Sequence, residues 1–186
     1  MANLESAFIN GKKIYLRSIS ESDLTGNYLR WFNDSDVTEH MIKGTYPTTI
    51  NDLRRYYDQV ILSQKNLILA VIEKENDEHI GNIGLHEINF LHQNAEMGIC
   101  LGEKRYWGKG MAKEAIALIC HHGFQQLNMQ RIELGVLATH RSAIRSYEAI
   151  GFKNEGIKRN KVYKNGEFVD VIMMAMLKDE LNRDFL

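Results

Sequence analysis

A glycine-rich segment is the part of this sequence whose residue types and spacing point most directly to chemistry. It reads Arg105-Tyr106-Trp107-Gly108-Lys109-Gly110-Met111-Ala112, follows a predicted strand and opens a long predicted helix. Glycine lets the backbone turn tightly and lets a ligand approach it closely. The first amides of a helix lack intrahelical acceptors and carry partial positive charge, which suits a phosphate group. The segment therefore predicts a phosphate-binding loop, with a ligand-free strand-to-helix turn as the alternative.

Two common phosphate-binding motifs do not fit this segment. A P-loop has Ser or Thr directly after its Gly-Lys pair, whereas Lys109 is followed by Gly110. A dinucleotide-binding fold has a third glycine where this chain has Lys113, and an acidic residue at the end of the next strand. Here the acidic residue Glu133 lies near the start of that strand. A nucleotide-phosphate binder of another kind stays open at this point.

Composition narrows the classes of protein that carry this loop. The chain has 186 residues, 44% of them hydrophobic, with 23 Lys and Arg against 24 Asp and Glu. That length predicts a single domain over residues 1–186 with a core of its own. The formal net charge of −1 argues against a broad basic surface for nucleic acid. We therefore expect no nucleic-acid partner.

Cysteine usage and hydropathy predict a cytoplasmic protein. Cys100 and Cys120 lie inside apolar runs without CxxC spacing, which favours free thiols over a disulfide framework or a metal site. The histidines show no metal-ligand spacing either. Residues 1–5 lack the basic and apolar parts of a signal peptide, and no run approaches the roughly 18 apolar residues of a membrane helix. We expect neither a metal ion nor a membrane partner.

The helices that must position the loop are marked by their end signals. Capping-box-like sequences at 20–23 and 49–52 predict two helix starts. Thr139 is predicted to cap a later helix, and Gly151 is predicted to end it. The predicted helices cover about 21–32, 50–61, 109–127 and 139–150.

The strands complete an order of β-α-α-β-β-β-α-β-α-β-β. An Asn165-Gly166 pair between the last two predicts a hairpin. The predicted strands cover 14–17, 67–73, 80–89, 95–101 and 131–136, followed by two strands on either side of 164–167. This order predicts a mixed sheet with helices on both faces.

Three blocks in order make the sequence resemble the GNAT acetyltransferases. Arg105-x-x-Gly108-x-Gly110 is similar to the family signature Arg/Gln-x-x-Gly-x-Gly/Ala. Residues 95–99 resemble the family's fourth strand, and Arg141-Ser142 with Tyr147-Glu148-Ala149-Ile150-Gly151-Phe152 resembles its "Asn-x-Arg-Ser … Tyr-x-x-x-Gly-Phe" helix. The resemblance runs from Ile14 to about Leu177. It implies an α/β (α+β) GNAT fold, with a mixed, mostly antiparallel sheet of about seven strands that splays between the fourth and fifth.

Within this superfamily the chain looks similar to the branch that holds ribosomal-protein Nα-acetyltransferases and spermidine N-acetyltransferases. Residues 87–96 resemble a run in the spermidine enzymes, and residues 31–41 resemble the "Trp-x-Asn-Asp … Val" motif of the broader branch. Some members of that branch acetylate amino sugars. One departure is Thr139, where the family usually has Asn.

The resemblance implies acetyl-CoA as cosubstrate and no metal. The pyrophosphate is expected on the amides around the two glycines of the loop, and the pantetheine in the gap between the splayed strands. An amide of the fourth strand would polarise the thioester carbonyl, and Gly98 is expected to mark a bulge there. The residues implied in cosubstrate binding are Ile99, Cys100, Leu101, Arg105, Gly108, Lys109, Gly110, Met111, Ala112, Thr139 and Ser142.

The same resemblance suggests two catalytic side chains. Tyr147 is the candidate general acid that protonates the departing thiolate, with a plain core tyrosine as the alternative. Glu96 is the candidate general base for the amine, with an ion-paired glutamate as the alternative. His86 and Glu87, one strand earlier, are in reserve for that role. Cys100 is interpreted as a small apolar residue rather than as a covalent nucleophile.

The sequence thus predicts an N-acetyltransferase, a monomer or homodimer, in which a primary amine attacks the thioester directly in a ternary complex. The expected acceptor is a protein N-terminal α-amine or a small amine. A polyamine, an amino sugar and a non-catalytic acyl-CoA sensor are the alternatives. The acceptor pocket is expected within 31–46, 87–94 and 161–170. Its candidate residues are Trp31, Asn33, Met41 and Glu87.

Overall fold

One mixed sheet organises residues 7–186, the part of the chain that the computed structural model describes. The strands are β1 (Ile9–Asn10), β2 (Ile14–Ser18), β3 (Leu67–Glu73), β4 (Glu78–Asn89), β5 (Asn94–Leu101), β6 (Arg131–Leu137), β7 (Lys153–Lys164) and β8 (Glu167–Leu177). The helices are α1 (Glu21–Leu24), α2 (Asn27–Phe32), α3 (Ser35–Thr38), α4 (Ile50–Tyr56), α5 (Met111–Gln125) and α6 (Arg141–Ile150). The expectation about a signal peptide falls on residues 1–5, which lie outside the described part.

The strands lie in the order β1-β2-β3-β4-β5-β6-β8-β7. Within the described residues, β5 and β6 form the one parallel pair, and the other neighbours are antiparallel. The sheet therefore has one strand more than the predicted seven, because the two-residue β1 pairs with β2. A mixed, mostly antiparallel sheet is confirmed.

The parallel pair opens into a gap. Pairing between β5 and β6 covers 94–96 against 131–133 and stops there, although β5 continues to Leu101 and β6 to Leu137. These are the fourth and fifth of the predicted strands, so the predicted splay is confirmed. Beyond the last pair, the facing backbone groups of the two strands are left without each other as partners. The gap is the feature on which the rest of the site is built.

Helices cover both faces of the sheet, as predicted. On one face the buried residues of α5, Ile116 and Ile119 among them, pack with β6 and β4. On the other face Tyr28 and Trp31 of α2 form a second cluster. Alternate residues of β5 point to opposite faces, and Met97 joins the first cluster while Cys100 packs against the second. No helix among the described residues is long and apolar enough to cross a membrane.

Several helix boundaries differ from the sequence prediction, and the helix predicted over 50–61 continues beyond Tyr56 only as a π-helical segment, Tyr57–Ile61. The helix predicted over 21–32 is split into α1 and α2, because Gly26 takes a non-helical conformation as the N-cap of α2. The helix predicted from Thr139 begins at Arg141 instead, with His140 as its N-cap. The predicted capping by Thr139 is wrong, since the chain still turns away from β6 at that residue. Both capping boxes, at 20–23 and 49–52, are confirmed.

Candidate active site

The glycine loop has the open backbone that an anion site needs. Gly108 and Gly110 have φ values of +74° and +86°, a left-handed conformation that side chains rarely adopt. A Cβ at Gly108 would meet no atom within 4 Å. The first bond across this turn runs from Glu114 N–H to the Gly110 carbonyl (3.1 Å), so the amides of Met111 and Ala112 precede it. These amides begin α5 beside open space.

Lys13 brings a positive charge to this loop from the far end of the sequence. Its Nζ donates to the carbonyl of Lys109 (3.0 Å). The buried carboxylate of Glu114 fixes this arrangement by accepting the backbone N–H groups of Lys12 and Lys13, the latter at 3.0 Å. Sequence reasoning missed Lys13, because it lies in the turn between β1 and β2 and carries no motif.

The predicted basic side chains of the loop point to other partners. Arg105 pairs with Glu78 at the start of β4, and its guanidinium carbon lies 5.3 Å from the centre of the Tyr106 ring. Lys109 Nζ lies at the same distance from that ring. The side chain of Met111 is buried in the core, so only its backbone faces the loop. The groups of this loop available to an anion are therefore mainly backbone amides, and the phosphate site itself stays a prediction.

The gap is lined by the backbone of alternate residues of β5. The Gln93 carbonyl accepts the N–H of Arg131 (3.2 Å), so Gln93 and every second residue after it direct their polar groups towards β6. Ile99 and Leu101 therefore face the gap. Cys100 faces the other way, towards β4. The backbone of Cys100 must be removed from the predicted pantetheine contacts, because successive residues of a strand alternate.

One backbone carbonyl that faces the gap already accepts a hydrogen bond from a side chain. The indole N–H of Trp107 donates to the Leu101 carbonyl (2.7 Å). The N–H and carbonyl of Ile99 and the N–H of Leu101 are left at the edge of the gap. On the opposite edge, the same alternation directs Gly135 and Leu137 of β6 into it. Neither of the two β6 residues was identified from the sequence, since only the register reveals them.

Glu96 lies at the inner end of the gap, on the sheet face that carries α2. It is in register with His86 on β4 and with Glu133 on β6. Partial burial raises the pKa of Glu96 above its ordinary value, and the carboxylates of Glu87 and Glu133 add to the shift. Lys158 opposes this shift and Glu133 is paired with Arg131 (2.9 Å), so Glu87 and Glu96 are the carboxylates at this end of the gap for which no ion pair occurs among the described residues. Glu87 takes a φ of +49° in a bulge of β4.

The predicted bulge at Gly98 is wrong. Gly98 pairs regularly with Gly84, and the irregularity of this strand pair lies between His86 and Asn89. A Cβ at Gly98 would lie 3.2 Å from Nε2 of His86. Gly98 therefore leaves room for an imidazole on the acceptor face. Burial lowers the pKa of His86, so this ring favours its neutral form.

Tyr147 lies on the opposite face, on α6. Its ring packs against the main core and meets Phe152 edge-on at 5.9 Å. Burial raises its pKa to about 12, so the phenol keeps its proton at neutral pH. No hydrogen bond of its hydroxyl is found within residues 7–186. Thr139 and Ser142, before and inside the same helix, are exposed.

The predicted pocket residues separate into two groups. Trp31 is 1% exposed, stacks its ring against Gly102 and donates its indole N–H to Glu103 (2.9 Å). It is a core residue and not a pocket wall, so that prediction is wrong. Asn33 holds the backbone of Thr48 with its side chain, while Met41 packs against the same buried cluster as Cys100.

The same acceptor side contains a cavity of about 600 Å³. It lies between α2, α3, the loop that follows them and the β7–β8 turn. Its lining residues include Asn33, Asp36, Glu39 and Lys164. The cavity is lined mainly by two of the three segments predicted for the acceptor pocket, 31–46 and 161–170, and not by the third, 87–94.

Cys100 and the histidines carry no second chemistry here. Burial raises the pKa of the Cys100 thiol to about 12, so the thiolate that a covalent route requires is scarce at neutral pH. Cys100 and Cys120 are both free. No group of three or more His, Cys, Asp or Glu side chains that would suit a metal ion occurs among the described residues.

Comparison with known sequences gives one family. Residues 13–153 match the sequence profile of the acetyltransferase (GNAT) domain. An N-acetyltransferase of Bacillus licheniformis, p20, is 31% identical over 153 residues, which is 81% of this chain and 85% of that protein. The spermidine N(1)-acetyltransferase of Escherichia coli K12 is 29% identical over 168 residues, 90% of this chain and 87% of that enzyme.

Comparison with solved structures agrees. The crystal structure of spermidine N-acetyltransferase from Vibrio cholerae, in complex with CoA and spermine, matches with a TM-score of 0.83. It is 26% identical in sequence, and the match covers 90% of this chain and 97% of that one. This solved structure therefore shares the fold described above.

Proposed function

From the premise that this chain belongs to the GNAT family of acetyltransferases, we propose that it transfers the acetyl group of acetyl-CoA to an aliphatic di- or polyamine in the cytoplasm. As a member of that family the chain is an N-acetyltransferase, so the alternative of a non-catalytic acyl-CoA sensor is not favoured. The relatives' names support an amine acceptor. The acceptor class is our proposal and rests on the carboxylates around Glu96.

The residues present fit acetyl-CoA. The amides around Gly108 and Gly110 are open, they precede the first turn of α5, and Lys13 adds a positive charge. The N–H and carbonyl of Ile99 stand free at the edge of a gap that needs a strand-like partner. Bound there, acetyl-CoA supplies a thioester whose carbonyl carbon an amine can attack. The amides of Ile99 or Leu101 are the donors that face the developing negative charge.

The gap joins two faces with different proton chemistry, and we assign one proton step to each. Glu96, on the α2 face, accepts the proton of the incoming ammonium group, because its raised pKa makes it a stronger base than an ordinary glutamate. Tyr147, on the α6 face, holds a proton at its Oη for the departing sulfur. Because the gap passes between β5 and β6, a thioester that lies in it can be reached from both faces of the sheet.

The carboxylates around Glu96 are the observation that carries the acceptor class. Glu87 and Glu133 raise the pKa of Glu96 because like charges repel, and since Glu133 is already paired with Arg131, Glu87 is the carboxylate left to meet a second ammonium group. A second ammonium group on the acceptor relieves that repulsion. We therefore favour a polyamine over the α-amine of a protein N-terminus, which the sequence had placed first, and over an amino sugar.

The test is an amine panel with acetyl-CoA, read by the release of free CoA thiol. Spermidine, putrescine, butylamine, an N-terminal Ala/Ser peptide and a UDP-amino sugar are compared. We expect spermidine and putrescine to have the lowest KM, and butylamine, which lacks the second charge, to have a higher one. Preference for the peptide or the sugar contradicts the acceptor class, and no turnover with any amine contradicts the proposed function.

A matched pair of variants ties the preference to the acceptor face. Glu87→Gln should raise the KM for putrescine and leave that for butylamine nearly unchanged, because only the diamine carries the second charge. Glu75→Gln removes an exposed carboxylate at the β3–β4 turn and should change neither value. Equal effects of Glu87→Gln on both amines would show that Glu87 does not read the second charge.

A further inference from the structure

The ammonium group of Lys164 makes a contact that the chemistry above does not use. Lys164 is the last residue of β7, directly before the turn at Asn165 and Gly166. Its Nζ donates to three backbone carbonyls, those of Thr38 (3.0 Å), Met41 (3.0 Å) and Lys43 (3.1 Å). An ammonium group has three N–H donors, so all of them are used on one segment. We name residues 38–43 the strap.

The strap has contacts near the carboxyl ends of both strands that border the gap. His40 stacks on His140, with ring centres 4.0 Å apart, and His140 follows β6 at the start of α6. Met41 packs in the cluster that includes Cys100 of β5. The strap therefore contacts the N-cap of α6, which follows β6, and the cluster against which β5 also packs.

The strap is held at its ends as well as at its middle. Before it, the Asn33 side chain bonds the N–H and the carbonyl of Thr48, both at 2.9 Å, and so closes the base of the loop. After it, Gly44 turns with φ +93° directly against Thr38. Lys43 Nζ lies 5.2 Å from the centre of the Phe32 ring. Lys164 supplies the hold from the opposite half of the molecule.

The carbonyls explain why this hold depends on one side chain. Three carbonyls that point to one spot repel one another unless a cation lies between them. The strap contains no regular helix or strand beyond Thr38, so few of its own hydrogen bonds fix its course. Without the ammonium group, the strap is expected to take other conformations.

We propose that Lys164 is a positioning residue for the acceptor, which holds the strap across the open end of the gap between β5 and β6. This inference rests on the proposed function, because the strap can only serve an acceptor if one binds on that face. Lys164 acts through the strap and not on the reacting atoms. Its three hydrogen bonds all go to the strap and none goes to the glycine loop, so we expect a much smaller effect on acetyl-CoA.

The test separates the two substrates kinetically. In Lys164→Met we expect the KM for spermidine to rise at least about fivefold, while the KM for acetyl-CoA changes by less than about twofold. Lys164→Arg keeps the charge and several donors, and should recover most of the wild-type value. Lys65→Met, which removes an exposed lysine before β3, is the control for a lost charge and should match wild type.

Hydrogen exchange provides a readout that does not need an acceptor. The amides of residues 38–44 should exchange faster in Lys164→Met than in wild type, and those of α5 should not. An unchanged spermidine KM, or equal rises for both substrates, would overturn the proposal. If wild type acetylates no amine, the proposed function fails, and exchange alone decides: unchanged exchange of the strap then overturns the hold by Lys164, and faster exchange supports it.

Discussion

The cosubstrate side and the acceptor side of the gap are built by different means. The cosubstrate side consists of backbone amides that Gly108 and Gly110 expose at the start of α5. The acceptor side is held by side chains from distant parts of the chain, among them Lys164, which bonds the strap, and His140, on which His40 of the strap stacks. Binding on the cosubstrate side should tolerate most side-chain substitutions but should be lost when a loop glycine is replaced. Binding on the acceptor side should change when single side chains are replaced.

The largest effect is expected at Tyr147, on the α6 face of the gap. Tyr147→Phe removes one hydroxyl and keeps the ring that packs on Phe152. If the phenol protonates the sulfur, kcat should fall by about 10²- to 10⁴-fold, with the affinity for acetyl-CoA unchanged. Tyr57→Phe, at a partly buried tyrosine that packs on the other face of the sheet, is the control. A drop of less than about threefold would retire this assignment.

The pKa of Tyr147 sharpens the same test. Because burial raises it to about 12, the phenol stays protonated through neutral and mildly alkaline pH. The rate should therefore show no alkaline decline from this group below about pH 11. A decline in wild type near pH 9 that disappears in Tyr147→Phe would mean that the phenol loses its proton much more easily.

The next effect is expected at Glu96, on the acceptor side. Glu96→Gln should lower kcat by about 10²-fold at pH 7, because the ammonium group of the acceptor loses its proton acceptor. In wild type the base form disappears as the pH falls through the raised pKa of Glu96. The variant should lack this acid limb and recover in part at high pH, where free amine is abundant. Parallel profiles for the two proteins would exclude Glu96 as the base.

A smaller effect is expected when the backbone of the glycine loop on the cosubstrate side is disturbed. Gly110→Asp puts a side chain and a negative charge at φ +86°, beside the open amides. We expect the affinity for acetyl-CoA to fall at least tenfold, about 1.4 kcal/mol, in a calorimetric titration. Gly166→Asp makes the same change at φ +88° in the β7–β8 turn and controls for strain. Unchanged affinity in Gly110→Asp would refute the anion site.

The smallest effect tests whether side chains matter on the cosubstrate side. Lys13→Met removes the ammonium group that bonds the Lys109 carbonyl. Since exposed charges contribute little, the affinity for acetyl-CoA should fall only about two- to threefold, and the difference should vanish near 1 M salt. A loss larger than that of Gly110→Asp would reverse the comparison and make the site one of side chains.

Much of the fold was predictable because its signals are local. The Asn165-Gly166 pair forms the predicted turn, with φ values of +52° and +88°, and both capping boxes form. The gap followed from the family resemblance, and the register confirms it. The break at Gly26 and the start of α6 at Arg141, with His140 as its N-cap, were missed, because helix ends depend on what each end packs against.

The candidate site was predicted less evenly. The loop glycines and Glu96 lie as the sequence indicated, because strand alternation and the start of a helix fix them within a few residues. Trp31 looked like a pocket residue, but burial against Gly102 makes it part of the core. The backbone of Cys100 was placed on the wrong side, since the direction of β5 pairing is not encoded in its composition.

The sequence by itself determined the cosubstrate loop, the elements and the family. These depend on φ and ψ preferences and on hydrogen bonds between residues a few positions apart, which glycine, capping residues and turn pairs reveal. Only the tertiary structure decided that Lys13 reaches the loop and that Lys164 holds the strap, across 96 and more than 120 positions. Such contacts exist because the sheet brings separate strands together, and no local preference specifies which lysine arrives.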